Sequence, residues 1–435
     1  MSADSKRFVC ETGSDGLLRK ILTVFTGSSL TKLISFFSIW LIVQNYDPYE
    51  FGLFSVIDTL NGFFAGVIVT WLNWLLIQRS AKAVEKEQAL GVSARILKLE
   101  LLYAGGVGLL LLAAAGPIAS LVFGKPELEP FVRISSIGMI GYTAVAGRSA
   151  VYQAAKSFHK DALFNIINSA AFLIAVVMLT IVLRGSSISA IALFYVSIPC
   201  LVSGYALSAS GVLAGRGRVI ERSSARFDPG QGWLLSYSLF LWIAAQVHLL
   251  VLTGARPLAE LGAYAFASKI YLLALMVMNY VKTVLLPEFS ACRTRELLRR
   301  KLITVVKLVS VVALVFIAAI PFAGVITDLI AGGRYADSAP VLRILLLGAA
   351  FSTALAPFAA VLFAEGRFKA LAFSGLIMML GNTLLQLLLT PRYGIISAAW
   401  ILVGTNLAMN SVFMVLTSRI LRGGPASPST GHPEG

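Results

Sequence analysis

Four basic residues, Lys32, Arg148, Lys269 and Lys282, stand inside long apolar stretches, and one clear acid, Asp58, stands in another. An ionised side chain in the hydrocarbon zone of a membrane is costly and normally faces a partner or a wet cavity. Four cations against one acid is a bias toward holding negative charge, which Arg grips with a planar fork and Lys meets as a point charge. Each residue has a second reading. Lys32 shares a helical stripe with Ser28 and Ser35, so the stripe reads as cavity-facing; the alternative is a structural pair between Lys32 and Asp58. Arg148, beside "YTAVAG", is either a ligand contact or a packing residue between helices. Lys282 lies nearer the end of its stretch and either snorkels to headgroups or meets cargo. His248, with Gln246 close by, is a hydrogen-bonded packing residue or a proton relay. Asn61, Asn73 and Asn279 are candidate polar ligands, although helix–helix hydrogen bonds explain intramembrane Asn equally well. Asp58 is the candidate for coupling to protons or sodium.

These residues need helices to position them. The chain has 435 residues, 57% hydrophobic and 13% charged, with mean hydropathy +0.83. A soluble domain carries about 25% charged residues, so most of this chain must lie in lipid. The apolar runs are continuous rather than alternating, which makes the spans helices and not barrel strands. The first run follows a polar arm with no small-residue cleavage site after it, so the reading keeps it as a span. Cys10, Cys200 and Cys292 fit no disulfide or metal spacing. There is no phosphate-binding loop, no His/Cys metal spacing, and no outer loop long enough for a catalytic domain, so the chain does not read as an enzyme. The net charge of +15 sits in short loops beside spans. It suits anionic lipid headgroups rather than nucleic acid.

Twelve spans are expected, near residues 22–43, 53–77, 99–123, 134–155, 163–183, 188–213, 233–252, 262–286, 303–327, 340–364, 370–389 and 394–418. Cytoplasmic loops retain positive charge. With both termini placed inside, cytoplasmic segments hold 25 Lys and Arg, outer segments 7, and the spans 4. The spans repeat. "YDPYEFGLFS" (46–55) has an echo in "LAELGAYAFAS" (258–268), where Glu50, Gly52 and Phe54 match Glu260, Gly262 and Tyr264 at an offset of 210. Residues 130–163 laid over 340–373 give twelve identities in thirty-four positions, among them Pro130/Pro340, Arg133/Arg343, Gly138/Gly348 and Phe158/Phe368. "RGSSISA" (184–190) resembles "RYGIISA" (392–398) at an offset of 208. Six is even, so both copies enter from the same side and are related by a pseudo-two-fold axis along the membrane normal. The expected fold is all-α and polytopic, with an N-terminal lobe (1–215), a C-terminal lobe (216–422) and a disordered tail (423–435). Such paired bundles suit an alternating-access transporter with a site near mid-membrane. Asp58 falls one position from equivalence with Lys269, so the two are a candidate gate pair, with cargo contact the other reading of Lys269. Arg148 matches Phe358, so the copies have diverged there.

Three stretches carry a resemblance. "YDPYEFGLFSVIDTL" (46–60) resembles the proline–acid–Phe–Gly–aromatic turn of bacterial polysaccharide flippases. "GGRYADSAPVLRILLLG" (332–348) is similar to their Tyr-then-Pro hallmark, and "LLLTPRYGIISAAWILV" (387–403) to their last aromatic–Gly turn. In order and spacing the chain resembles the Wzx-type oligosaccharide flippases of the MOP superfamily, which also holds MATE exporters and lipid II flippases. The resemblance implies two six-helix lobes around a cavity, and an undecaprenyl-pyrophosphate-linked oligosaccharide as cargo. It implies a cationic cavity, for which Lys32, Arg148, Lys269 and Lys282 are the candidates here, lined further by Ser28, Ser35, Asn61 and Asn279. Asp58 and His248 are the candidates for ion coupling or gating. It also implies the bacterial inner membrane, membrane lipids and polysaccharide polymerase or export proteins as partners, a monomer, no nucleic acid, and no cofactor beyond coupling to H+ or Na+. The alternatives are a MATE-like cation-coupled small-molecule exporter and a non-transporting scaffold of a polysaccharide complex.

Overall fold

The computed structural model describes residues 14–82, 86–155, 157–183, 185–209, 229–290, 292 and 294–422. Among them there is no strand, and the chain is all-α. The helices are α1 (Ser14–Asn45), α2 (Pro48–Lys82), α3 (Lys86–Ala113), α4 (Glu129–Ala154), α5 (Phe158–Val177), α6 (Ile188–Ala209), α7 (Pro229–Ala255), α8 (Leu258–Ser290), α9 (Arg295–Ala319), α10 (Ser338–Ala364) and α11 (Phe368–Arg422). They form two compact units. One comprises Met1–Tyr46 with Val56–Ser224, the other Asp47–Ser55 with Ala225–Gly435. The first turns of α2 therefore belong to the second unit.

Hydrophobic side chains cover the outside as well as the inside. Leu102, Leu201 and Ile377 are each at least 70% exposed, a surface that only lipid would satisfy. Eight helices among the described residues are long and apolar enough to cross a membrane, and α2, bent by 44° between Val67 and Val69, makes a ninth. The 55 residues of α11 extend roughly 80 Å at the helical rise, enough for two crossings.

Within each unit the same helix pairs recur. In the first, α1 packs on α5, while α3 and α6 pack on α4. In the second, α7 packs on α11, while α9 and α11 pack on α10. The matched glycines of the repeat do the same work in both places. A Cβ on Gly138 would meet Val196 of α6 at 2.8 Å, and one on Gly348 would meet Val403 of α11 at 2.5 Å. Small residues at these points let the helices approach closely.

Two spans differ from expectation in the same way. The sequence reading begins them at 99 and 303, whereas α3 begins at Lys86 and α9 at Arg295. Both starts are basic and amphipathic, so hydropathy excludes turns that the helix retains at the membrane surface. Thr294 caps α9, its hydroxyl oxygen accepting the Leu297 N–H at 3.3 Å. Both expected spans, 99–123 and 303–327, also run past the ends of these helices at Ala113 and Ala319 into separate short turns. A π-helical turn (Ile118–Val122) follows α3, and a short helix (Ala323–Ala331) closing on the left-handed Gly332 follows α9.

One break occurs where a loop is expected. α11 continues through Pro391 and Arg392 and departs from helical geometry at Gly394 (φ 73, ψ −158). Buried polar groups span it. Gln386 Nε2 donates to the Ala398 carbonyl at 3.1 Å, and the Thr390 hydroxyl donates to Gln386 Oε1 at 2.5 Å. These bonds tie the segment before the break to the one after it and give the buried Gln386 and Thr390 side chains partners.

Candidate functional site

The three stretches that carry the resemblance meet in the second unit, together with the echo of the first. Asp47 and Glu50 form a reciprocal capping box on α2: the Glu50 N–H donates to Asp47 Oδ1 at 2.8 Å and the Asp47 N–H to Glu50 Oε2 at 3.2 Å. At the matching start of α8, Arg256 donates from Nε and Nη2 to both Glu260 oxygens at 2.9 and 2.8 Å. The two helix starts then press together. A Cβ on Gly52 would fall against the Leu258 carbonyl, and one on Gly262 against the Pro48 carbonyl. Since Gly262 is Gly52's repeat partner and Leu258 is Pro48's, the duplicated turn packs on itself.

Tyr335, 1% exposed, locks this pair. Its ring sits edge-on to Phe51 at 6.2 Å and to Phe266 at 5.1 Å. Its hydroxyl donates to the Asp47 carbonyl at 3.1 Å. Burial, and then the carboxylates of Asp47 and Glu50, hold the phenol well above its usual range, so it stays a neutral donor. Ser338 donates to the Ala263 carbonyl at 2.8 Å, and Gly394 lies beside Arg256 and Glu260. These motif residues therefore build one packed corner held by hydrogen bonds and ring contacts.

The ionisable groups lie deeper in the helices. In the first unit Asp58 is half-buried and accepts the Tyr195 hydroxyl at 2.6 Å. Asn61, 3% exposed, packs on Gly138 of α4. Lys32 is exposed on α1, whereas Ser35 of the same stripe turns toward α5, donating to Thr31 O at 2.9 Å and Ser169 Oγ at 3.2 Å. Arg148, 6% exposed, places its guanidinium 4.3 Å over the Tyr152 ring and donates to its hydroxyl at 3.0 Å. Asp161 of α5 gathers Ser149 and Gln153 from α4 and Asn165 from its own helix. In the second unit His248, 5% exposed, meets Tyr264 edge-on at 5.4 Å. Lys269 follows Ser268 on α8 and is half-buried. The side chains of Ser28, Asn279 and Lys282 lie outside the described residues. Among the described residues no cluster of three His, Cys, Asp or Glu side chains could hold a metal ion.

One acid escapes the sequence reading. Glu100 is 0% exposed and lies inside the candidate span Gly91–Ala113. The reading that starts the third span at 99 leaves it at a boundary. Its signal was available: a Glu one turn before the apolar run of a helix that begins earlier than hydropathy suggests.

A family model described as polysaccharide biosynthesis protein matches residues 17–292. Among curated proteins none matches the chain. Solved structures do. The lipid II flippase MurJ in an inward closed conformation superposes with TM-score 0.70 at 13% identity, over 92% of this chain and 87% of its own. An inward-facing multidrug resistance MATE family transporter gives 0.65 at 16%, over 90% and 94%. A MOP superfamily transporter from Pyrococcus furiosus, whose binding pocket is described as reversed in polarity, gives 0.62 at 15%, over 93% and 95%. At these identities the likeness establishes the fold, which is that of the MOP transporters.

Proposed function

Because this chain belongs to the polysaccharide biosynthesis protein family, we propose that it moves a polyprenyl-pyrophosphate-linked oligosaccharide across the bacterial inner membrane. Family and fold mark a multi-pass membrane transporter rather than an enzyme. The observation that carries the finer reading is the set of cations within its membrane helices, Lys32, Arg148, Lys269 and Lys282. A pyrophosphate brings about two negative charges and is held by such groups. The sugar and pyrophosphate enter from the cytoplasmic side while the lipid tail stays in the bilayer. Two six-span lobes rock between inward- and outward-facing states, with both termini cytoplasmic. Binding shifts that equilibrium only by its differential affinity for the two states, so net direction comes from an ion gradient or from removal of product. Asp58 is one coupling candidate.

The test is Lys32→Gln and Arg148→Gln in cells, with protein abundance measured alongside. The expected result is loss of surface polysaccharide and build-up of lipid-linked sugar on the cytoplasmic face at unchanged abundance. Normal polysaccharide in both variants would overturn the cationic path. One observation favours the second reading, a cation-coupled small-molecule exporter: Asp58 accepts a phenolic hydroxyl from Tyr195, and an acid among aromatic rings suits a cation. Under that reading Asp58→Asn abolishes dye efflux and leaves polysaccharide intact.

A further inference from the structure

Glu100 is placed unlike any other acid described here. It is fully buried, and among the described residues neither carboxylate oxygen has a hydrogen-bond partner. Leu97, which shares the Gly147 contact with Glu100, belongs to an apolar cluster with Ala94 on the same helix, Ala144 on α4 and Leu207 on α6. The carboxyl is seated against the bare Cα of Gly147, where a Cβ would meet Glu100 Oε2 and Leu97 Cδ1, each at 2.5 Å.

The charged and titratable groups near it are few. On α3, Arg95 and Lys98 are exposed. On α4, Arg148 follows Gly147 but is engaged with Tyr152, and Thr143 lies one turn away, buried and uncharged. Tyr103, one turn on along α3, is half-buried. α6 carries no charge; its Tyr195 donates to Asp58, its Cys200 to the Ile137 carbonyl, and its Tyr205 is 78% exposed. Among the described residues no ion pair reaches Glu100. An isolated carboxylate in such surroundings is far costlier than the neutral acid. A sodium ion would need several oxygen ligands converging on the same point, and among the described residues no group of three His, Cys, Asp or Glu side chains gathers there.

We propose that Glu100 is a proton-binding site within the membrane, holding a proton while α3 and α4 are closed over Gly147 and releasing it when water enters between them. On release the carboxyl O–H bond breaks, the proton passes to that water, and the carboxylate remains. Glu100 then couples proton movement to helix rearrangement. The site itself does not depend on the identity of the cargo, but its use in transport rests on the transporter reading above.

The test is infrared difference spectroscopy of the full chain in lipid nanodiscs, titrated from acid to alkaline pH in light and heavy water, for wild type and Glu100→Gln. The expected result is one protonated-carboxyl C=O band that persists at neutral pH, exchanges slowly, and is absent from Glu100→Gln. Glu100→Asp should retain the band at a shifted frequency, which guards against loss of fold in the Gln variant. Identical spectra in wild type and Glu100→Gln, or a band that disappears in the range of an exposed carboxylate, would overturn the proposal. Because the readout contains no cargo, a negative result here is separable from a negative result with Lys32→Gln and Arg148→Gln.

Discussion

Adding one methyl group at Gly52 or Gly262 should push apart the helix starts that the duplicated turn holds together. A Cβ on Gly52 would lie 2.9 Å from the Leu258 carbonyl carbon, and one on Gly262 would lie 2.9 Å from both Gly52 N and the Pro48 carbonyl carbon. Carbon atoms rest at about 3.5–4.0 Å, and the Leu258 and Pro48 carbonyl oxygens would lie closer still than these carbons, so the backbones must separate by more than about 1 Å. The obstacle in each case is main chain, which has no rotamer to yield. Overpacking costs about 1–3 kcal/mol. Losing a close Cα–H···O contact adds roughly 0.5–1 kcal/mol. Alanine returns about 1 kcal/mol through its better helix propensity. The net expectation is about 0.5–3 kcal/mol of destabilisation for Gly52→Ala or Gly262→Ala. The double variant should fall short of the sum by about 1 kcal/mol, because once one methyl has parted the helices the second is partly accommodated. Unfolding of the purified protein in detergent, followed by tryptophan fluorescence, measures both effects. Gly105→Ala is the control, since a Cβ there meets nothing within 4 Å, and it should be neutral or slightly stabilising. Equal behaviour of Gly52→Ala and Gly105→Ala would refute the packing argument. Strict additivity in the double variant would refute the shared contact.

Tyr335→Phe removes the donor to the Asp47 carbonyl and keeps the ring, so it should cost about 1 kcal/mol. Tyr335→Ala also empties the space between Phe51 and Phe266 and should cost about 3–5 kcal/mol, both read from the same unfolding curves. Gly394→Ala forces a side chain into a backbone region open in practice only to glycine, at about 1–3 kcal/mol, and crowds Arg256 and Glu260. It should raise protease cleavage near 390–395, whereas Gly404→Ala, with open space around it, should not.

The repeat was legible because its signature residues serve packing that both copies share. Gly138 and Gly348 each admit a valine of a neighbouring helix, and Gly52 and Gly262 admit each other's neighbouring carbonyls. Short polar turns at the ends of α2 and α8 were equally readable, since capping needs an acid at a fixed offset from the helix start. What hydropathy could not supply was the beginning of α3 and α9, where charged turns remain helical outside the apolar run, and with that error Glu100 was missed. Nor could it supply partners remote in sequence. Asp58 meets Tyr195 across 137 positions, and Tyr335 reaches Asp47 across 288. A lone aspartate and a lone tyrosine look the same in sequence whether or not they meet. Arg148 shows the remaining difficulty: the sequence marks a costly charge, and only coordinates reveal that Tyr152, one turn on, covers it.

The assignment of Asp47–Ser55 to the second unit has a consequence for the order in which the protein is made. These residues leave the ribosome early, yet their packing partners Leu258, Gly262 and Tyr335 are translated more than 200 residues later. At an elongation rate of about 5–20 residues per second, the gap to Tyr335 lasts roughly 15–55 s. Throughout that interval the start of α2 has its own capping box but none of its tertiary contacts. The N-terminal half, released alone, should therefore present an unfinished edge. Supplying residues 225–435 as a separate chain during synthesis should complete it.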